Sequence, residues 1–392
     1  MAVIAALWSA LLALQGLLPT KTSEMLGGDA VYGKDVVDLP YGRGMPEPVR
    51  GRRTRTERVA RSIPFVGLCV AAGLWVGISS PAKSADVVQT RLSIATNEAH
   101  PYYPGAVRFK EVLEAETSGK IQVQIFPNAQ AGDEAASLQL IRSGGLQFAE
   151  HSSSLASSAS NEPLLQAWSL PFLYPDAEAA YHAWDSDLAD KSYAAFEKHG
   201  FKCLVRWDAG FRQLSSNRPV NSVGDVRGLK LRTPDGAIYI STWQALGAVP
   251  TPMAFSELYT ALQTGVVDGT ELPVQVFDAS KFYEVQKNFA VVNYMNDPIC
   301  FSVSLQFFKS LSPDQRQAVL KAADASAMAE REAARAGFEN SIQQVASVKV
   351  EITRPQTDQF RKAVAPVYDG FYQKAGEEGR TLVEEILALT KR

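Results

Sequence analysis

Beyond residue 90, short segments in which apolar and polar side chains alternate are separated by longer segments in which apolar side chains recur every three or four positions. Alternation with a period of two predicts strands, and the longer period predicts amphipathic helices. Predicted strands cover residues 91–96, 121–126, 146–150, 202–207, 229–233 and 348–353, and predicted helices cover residues 105–117, 133–142, 176–198, 237–246 and 255–263, with two closing helices from residues 356 and 379. This order predicts an α/β fold with mostly parallel sheets, in which ligands bind at the carboxyl ends of the strands.

One predicted helix is much longer than the others. Ser312 provides an N-cap, Pro313 the first helical position and Gln315 a capping-box partner, and alanine-rich sequence continues to about residue 344. At a rise of about 1.5 Å per residue this helix is roughly 45 to 50 Å long, which is more than one small domain needs. An isolated coiled coil is not indicated, because no apolar heptad is sustained through residues 325–335. We therefore expect the helix to connect two domains.

The first 85 residues have a different pattern from the rest of the chain. Six arginines between residues 50 and 61 precede an apolar segment at 63–78, and small residues follow at 79–85. This order predicts an N-terminal extension with an export signal that is cleaved near residues 82–85. The alternative is a membrane anchor, but the apolar segment is short for a spanning helix and contains Pro64. A true start at Met45 would explain why a complete signal follows an unrelated stretch.

The charge balance changes when the signal is set aside. The whole chain has a net charge of −3, and residues 1–85 hold 10 of the 39 basic and 6 of the 42 acidic residues, so the remainder has a net charge of about −7. An acidic chain lacks the basic surface that nucleic acid or anionic lipid requires, and we expect no nucleic-acid partner. Cys203 and Cys300 remain after the signal. They could pair in an oxidising compartment, although cysteines with apolar neighbours are more often buried thiols.

The sequence offers little that is typical of catalysis. It contains no His-Glu-x-x-His, Gly-x-Ser-x-Gly, Gly-x-x-x-x-Gly-Lys-Ser/Thr or Cys-x-x-Cys motif, and it has four histidines. Of these, His182 and His199 fall in predicted helices, where surface or packing roles are usual. We therefore expect no enzymatic activity, no cofactor and no bound metal.

The most informative stretch is residues 228–273, which contains Arg232. This arginine lies at the end of the predicted strand 229–233, and Pro234 terminates that strand. A guanidinium at a strand end can form two parallel hydrogen bonds with a carboxylate or phosphate. The alternative, favoured by local chemistry alone, is a surface arginine paired with a nearby acidic residue.

Six segments around Arg232 match a family signature. They are SNRP at 216–219, DVRGLKLR at 225–232, GAVPTPMAFSELY at 247–259, ALQ at 261–263, VDG at 267–269 and KFYEVQ at 281–286. These segments closely resemble those of the TRAP-type (tripartite ATP-independent periplasmic) solute-binding proteins of the DctP family, and the resemblance extends over residues 90–390. It implies a two-lobe periplasmic binding protein fold with a ligand cleft between the lobes and a long helix spanning both. Lobe I would be residues 86–209 plus 297–337, and lobe II residues 210–296 plus 338–392.

The resemblance also implies ligand-binding residues. Arg232 and Arg212 match positions where arginines approach the ligand carboxylate, and Phe255 matches an aromatic that contacts the ligand body, although it also fits as the first buried residue of its helix. Relatives that bind acids have Glu-Asn-Pro where this chain has Glu271, Leu272 and Pro273, and Leu272 cannot donate the hydrogen bond of that asparagine. We expect replacement of either arginine to change fold stability little, because a strand-end residue that faces a cleft is not packed in the core.

Further candidates come from positions that follow predicted strands, where a cleft is expected. Asn97 and Glu98 follow the first strand, His151 and Ser152 follow the third, and Trp207 ends the fourth. We predict that the first four supply the contribution of lobe I to the ligand site. Trp207 and Trp243 add apolar area, which favours a ligand with fewer hydroxyl groups than a sugar acid.

The resemblance implies a periplasmic solute-binding protein that captures an organic carboxylate and delivers it to the membrane subunits of a TRAP permease, as a monomer and without cofactors. One alternative is a secreted α/β enzyme acting on a carboxylated substrate, with Glu271 or Asp268 as acid or base. Another is a ligand-sensing subunit of a signalling system, which would have the same pocket.

Overall fold

The computed structural model describes residues 87–391, so the predicted export signal lies outside the described residues. Eleven strands are present in this range. They are β1 (Val88–Ser93), β2 (Ile121–Phe126), β3 (Phe148–Ser152), β4 (Phe201–Asp208), β5 (Arg212–Ser216), β6 (Lys230–Thr233), β7 (Val249–Pro252), β8 (Gly269–Pro273), β9 (Asn288–Met295), β10 (Pro298–Ser304) and β11 (Glu351–Thr353).

Twelve α-helices alternate with these strands over the same residues. They are α1 (Tyr102–Glu116), α2 (Glu134–Arg142), α3 (Ser153–Ser160), α4 (Ala177–Trp184), α5 (Asp187–Tyr193), α6 (Ala237–Ala245), α7 (Leu258–Gln263), α8 (Val274–Ala279), α9 (Leu305–Ser310), α10 (Pro313–Ser347), α11 (Thr357–Ala363) and α12 (Ala365–Leu389). Short 3-10 turns occupy Pro163–Ser169, Ala194–His199, Val223–Val226, Phe255–Glu257 and Phe282–Glu284.

The strands form two separate sheets. The first has the order β2-β1-β3-β10-β4, and the second has the order β11-β9-β5-β8-β6-β7. Both are mixed, because β10 is antiparallel to β3 and β4, and β5 is antiparallel to β8 and β9. The chain passes from the first sheet to the second between β4 and β5, and it returns between β9 and β10. The two-lobe α/β architecture expected from the sequence is therefore confirmed.

The long helix α10 connects the lobes as predicted. The Ser312 hydroxyl accepts a hydrogen bond from the Gln315 N–H at 3.2 Å, and the Gln315 side chain accepts one from the Ser312 N–H at 3.0 Å. In its central part, the Ser326 hydroxyl accepts a bond from Trp207 in the first lobe at 3.1 Å. Two turns further on, the Ala334 carbonyl accepts a bond from the Gln275 amide of α8 in the second lobe at 2.9 Å.

A disulfide joins Cys203 of β4 to Cys300 of β10. These two strands are neighbours in the first sheet, and they are the strands by which the chain leaves that sheet and returns to it. The cysteines are 97 positions apart, so the covalent loop contains β5 to β9. The sequence left this pairing open and favoured free thiols, because spacing along the chain carries no information about the return of β10.

Several elements differ from the sequence-based prediction. The strands β5, β7, β8, β9 and β10 were not predicted. Of these, β5, β8 and β10 are buried at every position and therefore lack the alternation of a half-exposed strand. Residues 176–198 were predicted to be helical with a turn inside, and the structure divides them into three elements, since Ser186 starts a new helix by capping Ala189. The last helix starts well before residue 379 and contains a non-helical residue, Gly376, at φ 65°.

The lobe boundaries given by the resemblance stay a prediction. The helix α12, which they place in lobe II, packs against the 3-10 turn Pro163–Ser169 as well as against α6. Over residues 87–391 no helix has both the length and the apolar character needed to cross a membrane.

Candidate functional site

A cavity lies between the two sheets, where the chain emerges from the carboxyl ends of several strands. Its volume is about 50 Å³, and residues from both lobes line it. Thr96 follows β1, Ser152 ends β3 and Pro234 follows β6, so the cavity occupies the edge at which an α/β sheet is expected to bind a ligand. The wall also includes Ala95, Tyr102, Glu134, Ala209, Arg212, Arg232, Tyr239, Phe255, Leu272, Pro273, Val276 and Ile299.

A second pocket of about 250 Å³ adjoins this cavity. The two share Glu134, Arg232, Pro234 and Phe255, so they form one continuous cleft. Acidic side chains contribute to the outer part of its wall, because Asp133 and Asp235 line the larger pocket.

Arg232 is the central cation of this cleft. It lies in β6, which pairs with β7 on one side and β8 on the other, and its side chain is buried. Its Nε and one Nη donate to the Met253 carbonyl at 3.1 and 2.9 Å. Among the described residues, no carboxylate oxygen lies within 4 Å of its guanidinium and the second Nη has no hydrogen-bond partner. Burial lowers the pKa of Arg232 to about 10, so the group is still charged at neutral pH.

Phe255 packs beside this guanidinium. The centre of its ring is 5.9 Å from Cζ of Arg232, and its edge meets Phe282 of the second lobe. Phe255 opens the 3-10 turn that leads into α7, and the Met253 carbonyl that orients Arg232 belongs to the same connection. The predicted aromatic contact at the cleft is therefore close to the predicted anion anchor.

Arg212 has a different environment from Arg232. In β5 it faces Glu271 of the neighbouring strand β8, and its Nε and one Nη donate to the two carboxylate oxygens, the Nη bond to Oε1 being 2.9 Å long. The same Nη donates to the Glu271 carbonyl at 3.0 Å, and the Tyr294 hydroxyl also donates to this carboxylate. The predicted convergence of two arginines on the cavity is observed, but the charge of Arg212 is already paired with that of Glu271.

A chain of polar contacts connects Arg212 to the crossover between β9 and β10. The guanidinium of Arg212 lies over the Tyr239 ring, with Cζ 4.8 Å from the ring centre. The Tyr239 hydroxyl donates to Asp297, and the Ser169 hydroxyl donates to the other carboxylate oxygen. Because Ser169 precedes the first crossover and Tyr239 lies in α6 of the second lobe, Asp297 links both lobes at the return crossover. Burial raises the pKa of Asp297 to about 6.

Two glutamates of the first lobe were not identified from the sequence. Glu134, the first residue of α2, lines the cavity and accepts a bond from the Ser152 N–H at 3.0 Å. Glu150 is buried in β3 and accepts one from the Ala95 N–H at 2.7 Å. Burial raises the pKa of both groups, to about 8 for Glu150, whose proximity to Glu134 adds to the effect. The sequence signal for Glu134 was its place at the start of the predicted helix 133–142, next to Asp133, which caps that helix.

Some candidates of the first lobe lie outside the cavity. The His151 ring is buried against Phe201, and its Nε2 is 3.1 Å from the Ser302 hydroxyl. Trp207 is buried too, stacked on Phe301 at 4.5 Å between ring centres. Because consecutive strand residues face opposite sides of a sheet, Ser152 reaches the cavity and His151 does not. Trp243 packs against Tyr294 in a core.

Asn97 and Glu98 lie at a different part of the interlobe surface. The Asn97 side chain donates to the Ala279 carbonyl at the end of α8, at 2.7 Å, so it makes a direct bond between the lobes. Glu98 lines a separate pocket of about 530 Å³ beside α10. Leu272, in contrast, is part of the cavity wall, as the sequence predicted.

Comparisons with known proteins identify a family that this chain resembles. The family model described as bacterial extracellular solute-binding protein, family 7 (DctP) matches residues 92–375. The C4-dicarboxylate-binding periplasmic protein DctP of Rhodobacter capsulatus is 31% identical over 317 residues, which are 79% of this chain and 93% of that protein. The sialic acid-binding periplasmic protein SiaP of Vibrio cholerae is 30% identical over 302 residues, which are 76% of this chain and 93% of that protein.

Solved structures show the same fold. The sugar acid binding protein of Advenella mimigardefordensis in complex with galactonate superposes with a TM-score of 0.74 at 28% identity, over 78% of this chain and 98% of that chain. A TRAP periplasmic solute-binding protein of a Polaromonas species bound to D-erythronate superposes with a TM-score of 0.75 at 28% identity, over 78% of this chain and 100% of that chain.

The pairing of Arg212 changes what its replacement should do. Arg212→Ala leaves the buried Glu271 carboxylate without its cation, which costs about 3 to 5 kcal/mol of folding free energy. The premise of the expectation that this change leaves stability nearly unaltered does not hold for Arg212, because it is paired with a buried acid and does not simply face a cleft. Urea denaturation of the ligand-free protein measures the loss.

Two further variants make this test specific. The double variant Arg212→Met with Glu271→Leu removes both charges and should be more stable than Arg212→Ala. Arg232→Ala, which leaves no carboxylate unpaired within 4 Å, should lose less stability than Arg212→Ala. A double variant that is no more stable than Arg212→Ala would show that the ion pair is not the cause.

Proposed function

Because this chain belongs to the bacterial extracellular solute-binding proteins of family 7, we propose that Arg232 holds the carboxylate of its ligand in the cleft between the lobes. The chain is a periplasmic solute-binding protein of the TRAP type, which captures an organic carboxylate and delivers it to a membrane permease. The relatives named above bind a C4-dicarboxylate, sialic acid, galactonate and D-erythronate, and these ligands have the carboxylate in common.

The observation that supports this role of Arg232 is its lack of an acidic partner. A buried guanidinium is costly unless an anion accompanies it. Arg212 meets this requirement through Glu271, whereas over residues 87–391 the hydrogen bonds of Arg232 go to the Met253 carbonyl alone. A ligand carboxylate that reaches the second Nη would neutralise this charge and lies within reach of Phe255 as well.

Binding is coupled to closure of the two lobes in this proposal. Glu134, Thr96 and Ser152 bring the first lobe to the cavity, and Arg232, Phe255 and Leu272 bring the second. A ligand that contacts both walls favours the closed form over the open form. The hydrogen bond from Asn97 to the Ala279 carbonyl is a contact between the lobes that separation of the lobes would break.

Glu271 and Asp268, the acidic residues named for the alternative enzymatic function, already accept hydrogen bonds from neighbouring groups. Glu271 is bound by Arg212 and Tyr294, and Asp268 accepts bonds from the Asn217 side chain at 3.0 Å and the Lys230 N–H at 2.9 Å. Neither lies free at the cavity. We therefore propose that the protein binds its ligand without transforming it, and that it works as a monomer with the membrane subunits of its permease.

Removal of Arg232 is the direct test. Arg232→Ala should lower affinity for the ligand by roughly 2 to 5 kcal/mol, which is about 30-fold to several thousand-fold. Arg232→Lys should recover little of the lost affinity, because an ammonium group lacks the planar pair of donors. Isothermal calorimetry with the organic acid that gives the largest thermal shift measures these affinities.

The matched control is Arg227→Ala, which removes an exposed arginine of the same lobe and should leave affinity unchanged. Melting temperatures of the ligand-free variants separate lost binding from lost folding. Unchanged affinity in Arg232→Ala would contradict the proposal.

Closure predicts a change of shape on binding. Small-angle scattering of the wild-type protein should show a smaller radius of gyration at saturating ligand, because the lobes approach each other. Asn97→Ala should reduce the closed fraction of the ligand-free protein, since it removes the bond to Ala279. Identical scattering profiles with and without saturating ligand would rule out a hinge.

Export is the third part of the proposal. The arginine cluster, apolar segment and small residues before residue 86 fit a signal that is cleaved near residues 82–85. Mass spectrometry of the protein recovered from the periplasm should give an N-terminus at residues 83–86. Retention of residues 1–60 in that material would contradict cleavage.

A further inference from the structure

The charges of the cleft limit the charge of the ligand. Two arginines line the cavity, but Arg212 is neutralised by Glu271. Arg232 therefore provides one positive charge that is not paired. Opposite it stands the carboxyl group of Glu134, and the outer pocket adds Asp133 and Asp235. A second carboxylate on the ligand would lie near these acidic groups, and the cleft would have no further unpaired cation to bind it. Dicarboxylates should therefore bind more weakly than monocarboxylates.

The walls of the cavity limit the polarity of the ligand. Leu272, Val276 and Phe255 from the second lobe, and Ile299 at the start of β10, present hydrocarbon surface. Leu272 stands where related acid-binding proteins have an asparagine, and so it removes a polar group from the wall. In the outer pocket Leu155, Pro252 and Ala254 add hydrocarbon surface, so a bound acid that extends from the cavity into this pocket would meet apolar side chains in both.

Few polar groups of the wall are available to a ligand beyond Arg232 and Glu134. The Ser152 hydroxyl accepts a bond from the Leu155 N–H and keeps its own proton for a ligand, whereas the Tyr239 hydroxyl donates its proton to Asp297. The Thr96 hydroxyl is buried without a hydrogen-bond partner. The Tyr102 hydroxyl likewise makes no hydrogen bond within the described residues. Ser152, Thr96 and Tyr102 can therefore satisfy two or three ligand oxygens, whereas each further buried hydroxyl would cost about 1 to 3 kcal/mol.

The volume of the cleft limits the size of the ligand. An engineered cavity of about 150 Å³ holds benzene, which has six heavy atoms. On that scale the outer pocket of about 250 Å³ accommodates on the order of ten heavy atoms. An acid of this size can occupy the cleft with its carboxylate at Arg232.

We infer that the ligand is a short monocarboxylic acid with a mostly hydrocarbon body and at most three further oxygen atoms, and that Leu272 is a specificity-determining residue of the site. This inference rests on the proposed role of Arg232 as the carboxylate anchor. Leu272 and Val276 favour such a body because they exclude water from it and offer nothing to the hydroxyl groups of a sugar acid.

The test compares four acids on the mature protein by calorimetry. The probes are 3-methylbutyrate and 2-hydroxy-3-methylbutyrate for the inferred class, D-galactonate for hydroxylated monoanions, and succinate for small dianions. At least one of the first two should bind about 100-fold or more tighter than D-galactonate and succinate, because several hydroxyls or a second charge would be left unpaired.

Variants of the wall show which residues set this preference. Leu272→Asn should reduce the ratio of the affinity for the preferred hydrocarbon acid to the affinity for D-galactonate by about tenfold or more, since the asparagine gives a ligand hydroxyl one polar partner. Val276→Thr keeps the size of the side chain and should act in the same direction if Leu272→Asn does not fold. Leu272→Met is the matched control and should keep the wild-type order of affinities.

The outcomes separate this inference from the proposed function. Preferred binding of D-galactonate or succinate that is lost in Arg232→Ala would overturn the ligand class and leave the carboxylate anchor in place. Binding of any probe that persists at full affinity in Arg232→Ala would overturn the anchor itself. Failure of both hydrocarbon acids to bind, or an unchanged order of affinities in folded Leu272→Asn, would also overturn the inference.

Discussion

The site depends on the buried ion pair between Arg212 and Glu271. This pair binds neighbouring strands β5 and β8 of the second sheet, and Tyr294 on β9 adds a third strand to the same carboxylate. Two arginines placed close together at a strand edge would repel each other without a counterion. Because Glu271 neutralises Arg212, the net charge of the second lobe at the cavity comes from Arg232 alone. The pair thus determines both the rigidity of the wall and the charge presented to a ligand.

The connection between the lobes is stiff at the first sheet. The disulfide between Cys203 and Cys300 fixes the two crossing strands to each other before they leave that sheet. Beyond it, Asp297 is held by a residue from each side, Ser169 and Tyr239. The proposed bending would therefore be confined to the few residues that follow β4 and precede β10, and α10 would accommodate it where it passes from α1 to α8. So short a hinge would bring the same residues of the two walls together each time the lobes close.

The sequence predicted the anchor better than its surroundings. Arg232 was identifiable because a strand, a proline and a family signature coincide there, and Leu272 because it departs from that signature. The position of Glu134 at the cavity and the pairing of Arg212 with Glu271 depend on which distant strands lie side by side. A single sequence does not show this. His151 and Trp207 were placed at the cavity because they come late in strands, but a shift of one residue along a strand turns a side chain to the other face. The buried strands β5, β8 and β10 were missed because strands buried on both faces lose their alternation.

The anchor and the walls of this cleft have separate physical roles. A guanidinium recognises any carboxylate, so Arg232 supplies affinity that relatives with different ligands can share. Discrimination between acids has to come from the groups that contact the rest of the ligand. A ligand hydroxyl or charge that finds no partner among these groups lowers the affinity. In this chain those groups are hydrocarbon on the second lobe and a few oxygen atoms on the first. The expectation of a less hydroxylated ligand thus has a physical basis in Leu272, Val276 and Ile299, since the tryptophans first held responsible are buried in the cores.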